Sequence, residues 1–157
     1  MNTNTTRFDR RQILKAASGL GLVALGTSMV PSMAFAAWNK AAFEAKGMSD
    51  TYNALGAGSP SNSNDIQIVA SDIAENGAVV PVTAVSKIPN TEQISILVEK
   101  NPSALAALFD LTADVVPEIT TRIKMGQTSN VTVLVKAGGK YYTATKEIKV
   151  TLGGCGG

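Results

Sequence analysis

From Asp65 to Leu152 the chain alternates apolar and polar residues in short runs. Side chains along a strand point to opposite faces in turn, so a period of two marks a sheet with one face on a core. Ile66, Ile68 and Ala70 alternate with Gln67 and Val69. Ala78 to Ser86 is rich in valine, and Pro81 within it predicts an edge position or a bulge, because proline has no N–H to give to a ladder. Gln93 to Glu99 sets Ile94, Ile96 and Val98 on one face. Pro117 to Met125 sets Ile119, Ile123 and Met125 on one face, with Glu118, Thr120, Arg122 and Lys124 on a face that meets water. Val131, Val133 and Val135 form a further run. The last run is the clearest. Tyr142, Ala144, Ile148, Val150 and Leu152 face one way, interrupted by Lys146; Tyr141, Thr143, Thr145, Glu147, Lys149 and Thr151 face the other. Leu105 to Leu111 fits either a short helix or a strand. Turns are expected at Asn76-Gly77, Asn101-Pro102-Ser103 and Gly138-Gly139.

Ahead of these runs the period changes. Trp38, Ala42, Ala45 and Met48 recur at helical spacing, which predicts one or two short helices between Trp38 and Leu55, placed as a flap over one end of a sheet. Gly56 to Asn64 is a loop by composition. The sum is an all-β fold: an immunoglobulin-like antiparallel β-sandwich of six to seven strands, with a short N-terminal helical segment and a flexible C-terminal arm. A small barrel is the alternative. The Cys…Trp…Cys spacing of antibody domains is absent, so the likeness is one of shape.

The first 36 residues have the character of an export signal. Arg7, Arg10 and Arg11 form a basic start, Ile13 to Val30 is moderately apolar, and Ala34-Phe35-Ala36 is a small-x-small cleavage pattern. The run Asp9-Arg10-Arg11-Gln12-Ile13-Leu14-Lys15 is similar to a twin-arginine motif, departing from it at Asp9 and Ile13. A general secretory signal and a retained anchor are the competing readings. Gly19, Gly21 and Gly26 keep the apolar run weak for a membrane span. The expected division is therefore 1–36 signal, 37–64 helical segment and loop, 65–152 sandwich and 153–157 arm, with a periplasmic destination.

Removing the signal changes the charge. The full chain carries a formal +2, but four basic residues and one acidic residue lie in the signal, leaving ten basic and eleven acidic and a net −1. Nothing in that balance favours nucleic acid or an anionic membrane as a partner. The chain holds no histidine and one cysteine. An imidazole–thiolate metal site and a histidine-activated nucleophile are thereby excluded within this chain, no cofactor is expected, and no internal disulfide can form.

Chemistry then concentrates at Gly153-Gly154-Cys155-Gly156-Gly157. Glycine leaves the backbone free and adds no side chain that would block the sulfur. Five extended residues reach about 17 Å, enough to carry a thiol off its own domain and into a narrow pocket of another protein. A solvated thiol has a pKa near 8.5, so only about 3% is thiolate at pH 7. With no activating neighbour, Cys155 suits a covalent handle that other proteins work on. The other reading is an interaction module whose Cys155 forms a mixed disulfide with a partner, with the sheet edge near Pro81 as its interface. A thiol oxidoreductase would want a second cysteine or an activating group.

The terminal GGCGG, the twin-arginine-like signal and the strand-rich body together resemble the SoxY family, the carrier subunits of bacterial thiosulfate oxidation. Glu75-Asn76-Gly77 through Val80-Pro81-Val82, and Thr121-Arg122-Ile123-Lys124, also resemble that family's body. The resemblance implies a heterodimer with a SoxZ-like immunoglobulin-like subunit in the periplasm. It implies that Cys155 carries sulfur intermediates covalently and that Gly153, Gly154, Gly156 and Gly157 give it reach. The chemistry would belong to partners: a SoxXA-like c-type cytochrome that conjugates thiosulfate, a SoxB-like manganese hydrolase that releases sulfate, and a SoxCD-like molybdenum-haem sulfur dehydrogenase. The carrier itself would catalyse nothing.

Overall fold

The alternating runs become strands because each has an apolar face to bury and turn residues to end it. A computed structural model of the chain describes residues 39–152. Two short helices, α1 (Lys40–Glu44) and α2 (Met48–Leu55), precede the strands. The first five strands are β1 (Ser61–Asn62), β2 (Ile66–Val69), β3 (Ile73–Asn76), β4 (Val80–Ser86) and β5 (Thr91–Val98). The rest are β6 (Leu105–Asp110), β7 (Glu118–Ile123), β8 (Ser129–Ala137) and β9 (Lys140–Leu152). The ambiguous Leu105 segment is thus a strand. It pairs along β5 from Leu105↔Leu97 to Asp110↔Gln93, with an irregularity at Ile96/Leu97.

One sheet runs β1-β9-β8-β5-β6, with β3 also on β9; the other runs β2-β4-β7. Between them lie Val80, Val82, Ala84 and Ile123 of the smaller sheet, and Ile94, Ile96, Val98, Val131, Val133, Val135 and Ile148 of the larger. This is an immunoglobulin-like sandwich with an N-terminal helical segment. The main ladders are antiparallel, as expected. Two short pairings are not: β1 and β3 run parallel to β9, on the edge that β8 leaves open. They raise the strands among the described residues to nine. β1 lies inside the stretch expected to be loop.

The helices lie elsewhere than expected. Ala42, Leu55 and Ala57 pack on Leu97, Leu105 and Leu134, which belong to the outer face of the larger sheet. They cover that face rather than one end, and the Tyr141 hydroxyl donates to the Leu55 carbonyl at 2.7 Å to fix them. This second layer explains why β5 is buried without a break from Ile94 to Val98. The helical stretch splits in two at Gly47, whose φ of 82° no helix accommodates. α1 is capped by Asn39, whose side chain accepts from the Ala42 N–H at 3.1 Å.

Two further expectations resolve at single residues. Gly138 and Gly139 both have positive φ, at 55° and 72°, and close the β8–β9 hairpin. A two-residue turn with both φ positive matches the right-handed twist of its strands. Pro81 lies in β4, the central strand of its sheet and not an edge strand. It pairs with Arg122 of β7, but β2 ends at Val69↔Thr83, so no ladder runs past Pro81 on that side.

Candidate functional site

Cys155 and the four glycines around it, like Arg10 and Arg11, lie outside the described residues. What the structure supplies is the point from which the arm departs. β9 outruns its neighbour: its ladder with β8 runs from Ala137↔Lys140 to Ser129↔Ile148 and stops. The last four residues of β9 pair instead with β3, at Ile73↔Lys149, Ala74↔Val150 and Asn76↔Leu152.

Further hydrogen bonds close around this parallel pair. Lys149 N–H donates to the Asp72 carbonyl at 2.9 Å, and Gly77 N–H to the Leu152 carbonyl at 2.7 Å. The Thr151 hydroxyl donates to the Glu75 carbonyl at 3.0 Å. On the opposite side Val150 N–H donates to Thr128 Oγ1 at 2.9 Å. Met125 N–H reaches the Gly77 carbonyl at 2.7 Å and ties the turn after β3 to the end of β7. β9 is therefore held up to Leu152, its final residue.

The brace has its own anchor. Lys146 occupies a core-facing position of β9, where the alternation calls for an apolar residue. Its amine leaves the core and donates to the Ala70 carbonyl at 2.6 Å, and pairs with Asp72 Oδ1 at 2.9 Å. Ala70 and Asp72 lie in the crossover that carries the chain from β2 in one sheet to β3 in the other. One side chain thus fixes the segment that leads into the brace. The hydrogen bond from Lys146, then its charge and that of Lys149, hold the Asp72 carboxyl below its ordinary range.

That lowering has a testable sign. A carboxylate depressed in the folded state stabilises the fold above its unfolded pKa, near 3.9, and loses that contribution as pH falls through its folded value. An Asp72→Asn protein is therefore expected to be less stable than the unaltered protein at neutral pH, and to match it in strong acid. Urea unfolding of both proteins across that range measures the difference. A gap that persists undiminished in acid would show that the Asp72 charge is not its source.

The opposite end of the sandwich holds a groove of about 370 Å³, lined in part by Lys87, Asn90, Glu92, Leu111, Val115 and Pro117. The arm leaves from the other end. β4 runs between the two ends, and its seven residues span about 20 Å at ~3.3 Å per step. Cys155 is three residues beyond Leu152, a reach of about 10 Å. The groove is thus beyond the reach of the thiol of the same chain. Among the described residues no group of three or more His, Cys, Asp or Glu is placed to hold a metal ion.

Comparison with known proteins bears on this geometry. The family profile described as "Sulfur oxidation protein SoxY" matches residues 51–155, so the match ends on Cys155. The chain belongs to the SoxY family. Among solved structures, the sulfur carrier protein SoxY from Chlorobium limicola f thiosulfatophilum is 45% identical, with a TM-score of 0.58. That match covers 66% of this chain and 96% of the Chlorobium protein. A superoxide reductase (neelaredoxin) from Ignicoccus hospitalis is 14% identical over 54% of this chain and 78% of its own, with a TM-score of 0.48. The search of curated proteins finds no match. SoxY membership gives the chain a place in sulfur oxidation as a carrier, in the company of other Sox proteins.

Sequence reasoning missed the brace that β3 forms on β9. Ile73 to Asn76 is too short to show a period, and its partners lie more than 70 positions away in the chain. One signal was available: Lys146, a cation in the core-facing series of the clearest strand, required a partner from outside that strand.

Proposed function

We propose that this protein is a periplasmic sulfur carrier that binds thiosulfate-derived intermediates covalently on Cys155 and presents them to the enzymes of thiosulfate oxidation. The observation that carries the proposal is that the SoxY family match ends on Cys155, the one cysteine of the chain, three residues past a braced strand end. A carrier needs a single attachment atom, reach, and a fixed origin for that reach.

Loading removes two electrons. The Cys155 thiol and thiosulfate join through a new S–S bond, giving Cys–S–S–SO₃⁻; one proton goes to solvent, and the two electrons would leave one at a time through a SoxXA-like c-type cytochrome to one-electron acceptors. A SoxB-like manganese hydrolase then adds water to the terminal sulfone. Sulfate leaves and a persulfide stays on Cys155. A SoxCD-like sulfur dehydrogenase would act on that remaining sulfur. Nothing in this scheme asks the carrier for catalysis, which accords with a chain that has no histidine. The proposed partner in the carrier complex is a SoxZ-like immunoglobulin-like subunit, and the proposed route to the periplasm is the twin-arginine pathway, on the strength of Arg10 and Arg11.

One experiment tests site and location together. Protein isolated from the periplasmic fraction of thiosulfate-grown cells is weighed intact and its C-terminal peptide is sequenced by fragmentation. The expected result is a chain that starts close to Ala37 and bears thiosulfonate or persulfide sulfur on Cys155. Bare thiol throughout, or an adduct with one partner protein whatever the sulfur source, overturns the carrier reading.

A further inference from the structure

The turn after β3 begins with Asn76-Gly77, a pair with a chemistry of its own. A backbone nitrogen that follows asparagine can attack the side-chain amide carbon. Glycine, with no Cβ, leaves that nitrogen unhindered. This is the one Asn-Gly pair in the chain. Asn76 is exposed, while Gly77 is buried. The electrophile is prepared, since Asn76 Oδ1 accepts from the Ala78 N–H at 2.8 Å. A donor in that place stabilises the negative charge that the oxygen gains on attack. The nucleophile is locked. The Gly77 N–H donates to the Leu152 carbonyl at 2.7 Å, and the Gly77 carbonyl accepts from the Met125 N–H at 2.7 Å.

Attack requires the Gly77 nitrogen to lose its proton and turn towards Asn76 Cγ. Neither happens while its N–H is bonded to β9. That bond closes the last pair of the brace, Asn76↔Leu152, beyond the point where the β8 ladder stops at Ile148. Leu152 is 66% exposed, so few apolar contacts back the bond. Such ends of a sheet open far more often than its centre. The reaction rate is then the rate in the open pair multiplied by the fraction of time the pair is open. Hydrogen exchange at the Gly77 N–H waits on the same opening.

We propose that Asn76 is a deamidation site held shut by the brace, and that its conversion to isoaspartate unfastens β3 from the end of β9. Base removes the Gly77 amide proton, the nitrogen bonds to Asn76 Cγ, and the side-chain nitrogen leaves as ammonia. Water then opens the cyclic imide at either carbonyl, giving aspartate or isoaspartate. No electrons are transferred, and water is the only co-reactant. In isoaspartate the main chain runs through Cβ, which displaces Gly77 by about 1.5 Å, the length of one carbon–carbon bond. Gly77 then cannot bond Leu152 and Met125 together. The end of β9 comes away from β3, and the arm begins further back along the chain.

The test follows the full mature chain in mildly alkaline buffer, folded and in urea. Peptide mapping by mass spectrometry reads aspartate and isoaspartate at position 76. The folded chain is expected to convert at least about tenfold more slowly than the chain in urea, because the reaction waits on a minor open state. Two variants loosen the lock. Thr151→Val removes the hydroxyl that donates to the Glu75 carbonyl, at an exposed position. Lys146→Met removes the bonds to Ala70 and Asp72. Each is expected to speed conversion of the folded chain and to raise Gly77 N–H exchange by the same factor; should Lys146→Met not fold, Thr151→Val decides. In the isoaspartate form the Gly77 and Lys149 amides are expected to exchange faster than in an Asn76→Asp chain, which gains the charge without the extra backbone carbon. Four results overturn the proposal: no conversion in urea, equal rates folded and in urea, folded variants that convert no faster than the unaltered chain, or an isoaspartate form whose amides stay protected.

Discussion

A Cys155→Ser protein is expected to fold normally and to carry no sulfur, so that thiosulfate oxidation in an extract reconstituted with it falls to background. The reason is the element and not the shape. Oxygen replaces sulfur at nearly the same place, but a serine hydroxyl is not a thiolate source near neutral pH and forms no stable bond to sulfane sulfur. No second cysteine can take over, because the chain has none. The fold should not register the change. The described sandwich ends at Leu152, and the residues that form its two buried clusters all precede it. Thermal unfolding of the Cys155→Ser protein should therefore superimpose on that of the unaltered chain. The measurement is sulfate released from thiosulfate by Sox enzymes supplemented with either protein. Oxidation that continued with the serine variant would mean that sulfur travels on something other than this chain.

The same separation of arm from body decides what could be read from sequence. The terminus is read from sequence alone: one thiol among glycines is a local fact, and those residues lie outside the described ones. The long strands were also legible, since Val131, Val133 and Val135, or Tyr142 to Leu152, repeat for long enough to show a period. Three features were hidden for three physical reasons. β3 is four residues long and pairs in parallel with a distant strand, so neither its pattern nor its neighbours reveal it. The helical cover was placed over a sheet end because its own spacing says only that one face is apolar; what it covers is written in Leu97 and Leu134, on other elements. Pro81 followed the rule that proline avoids ladders, but the rule acts bond by bond. β2 stops short of Pro81, so a central strand can hold it without losing a hydrogen bond to that neighbour.

The two layers packed on the larger sheet should also differ in how they bear a cavity. Ile96 has no exposed surface and lies between the sheets, where it pairs with Ala107 on one side and Val133 on the other. Leu97, the next residue, is equally buried but faces the helices. Truncating either to alanine removes the same amount of apolar surface, so the difference lies in whether the surroundings can close the gap. Around Ile96 both walls are laddered strands that cannot approach without breaking register. Over Leu97 the cover is two helices of five and eight residues, tied across by bonds such as Tyr141 to Leu55. Ile96→Ala is therefore expected to cost about 4 kcal/mol and Leu97→Ala about 2 kcal/mol, within the range for large-to-alanine changes in cores. On a domain of this size the former lowers the melting temperature by on the order of 10 °C. Denaturant unfolding of the two variants compares them directly. A larger loss for Leu97→Ala would mean that the helical layer is the stiffer wall. The functional consequence follows from β9, which belongs to the same sheet: when Ile96→Ala unfolds, the brace at Leu152 goes with it. Enzymatic loading of Cys155 should then collapse at the lowered melting temperature. The Cys155 thiol should go on reacting with small reagents as before.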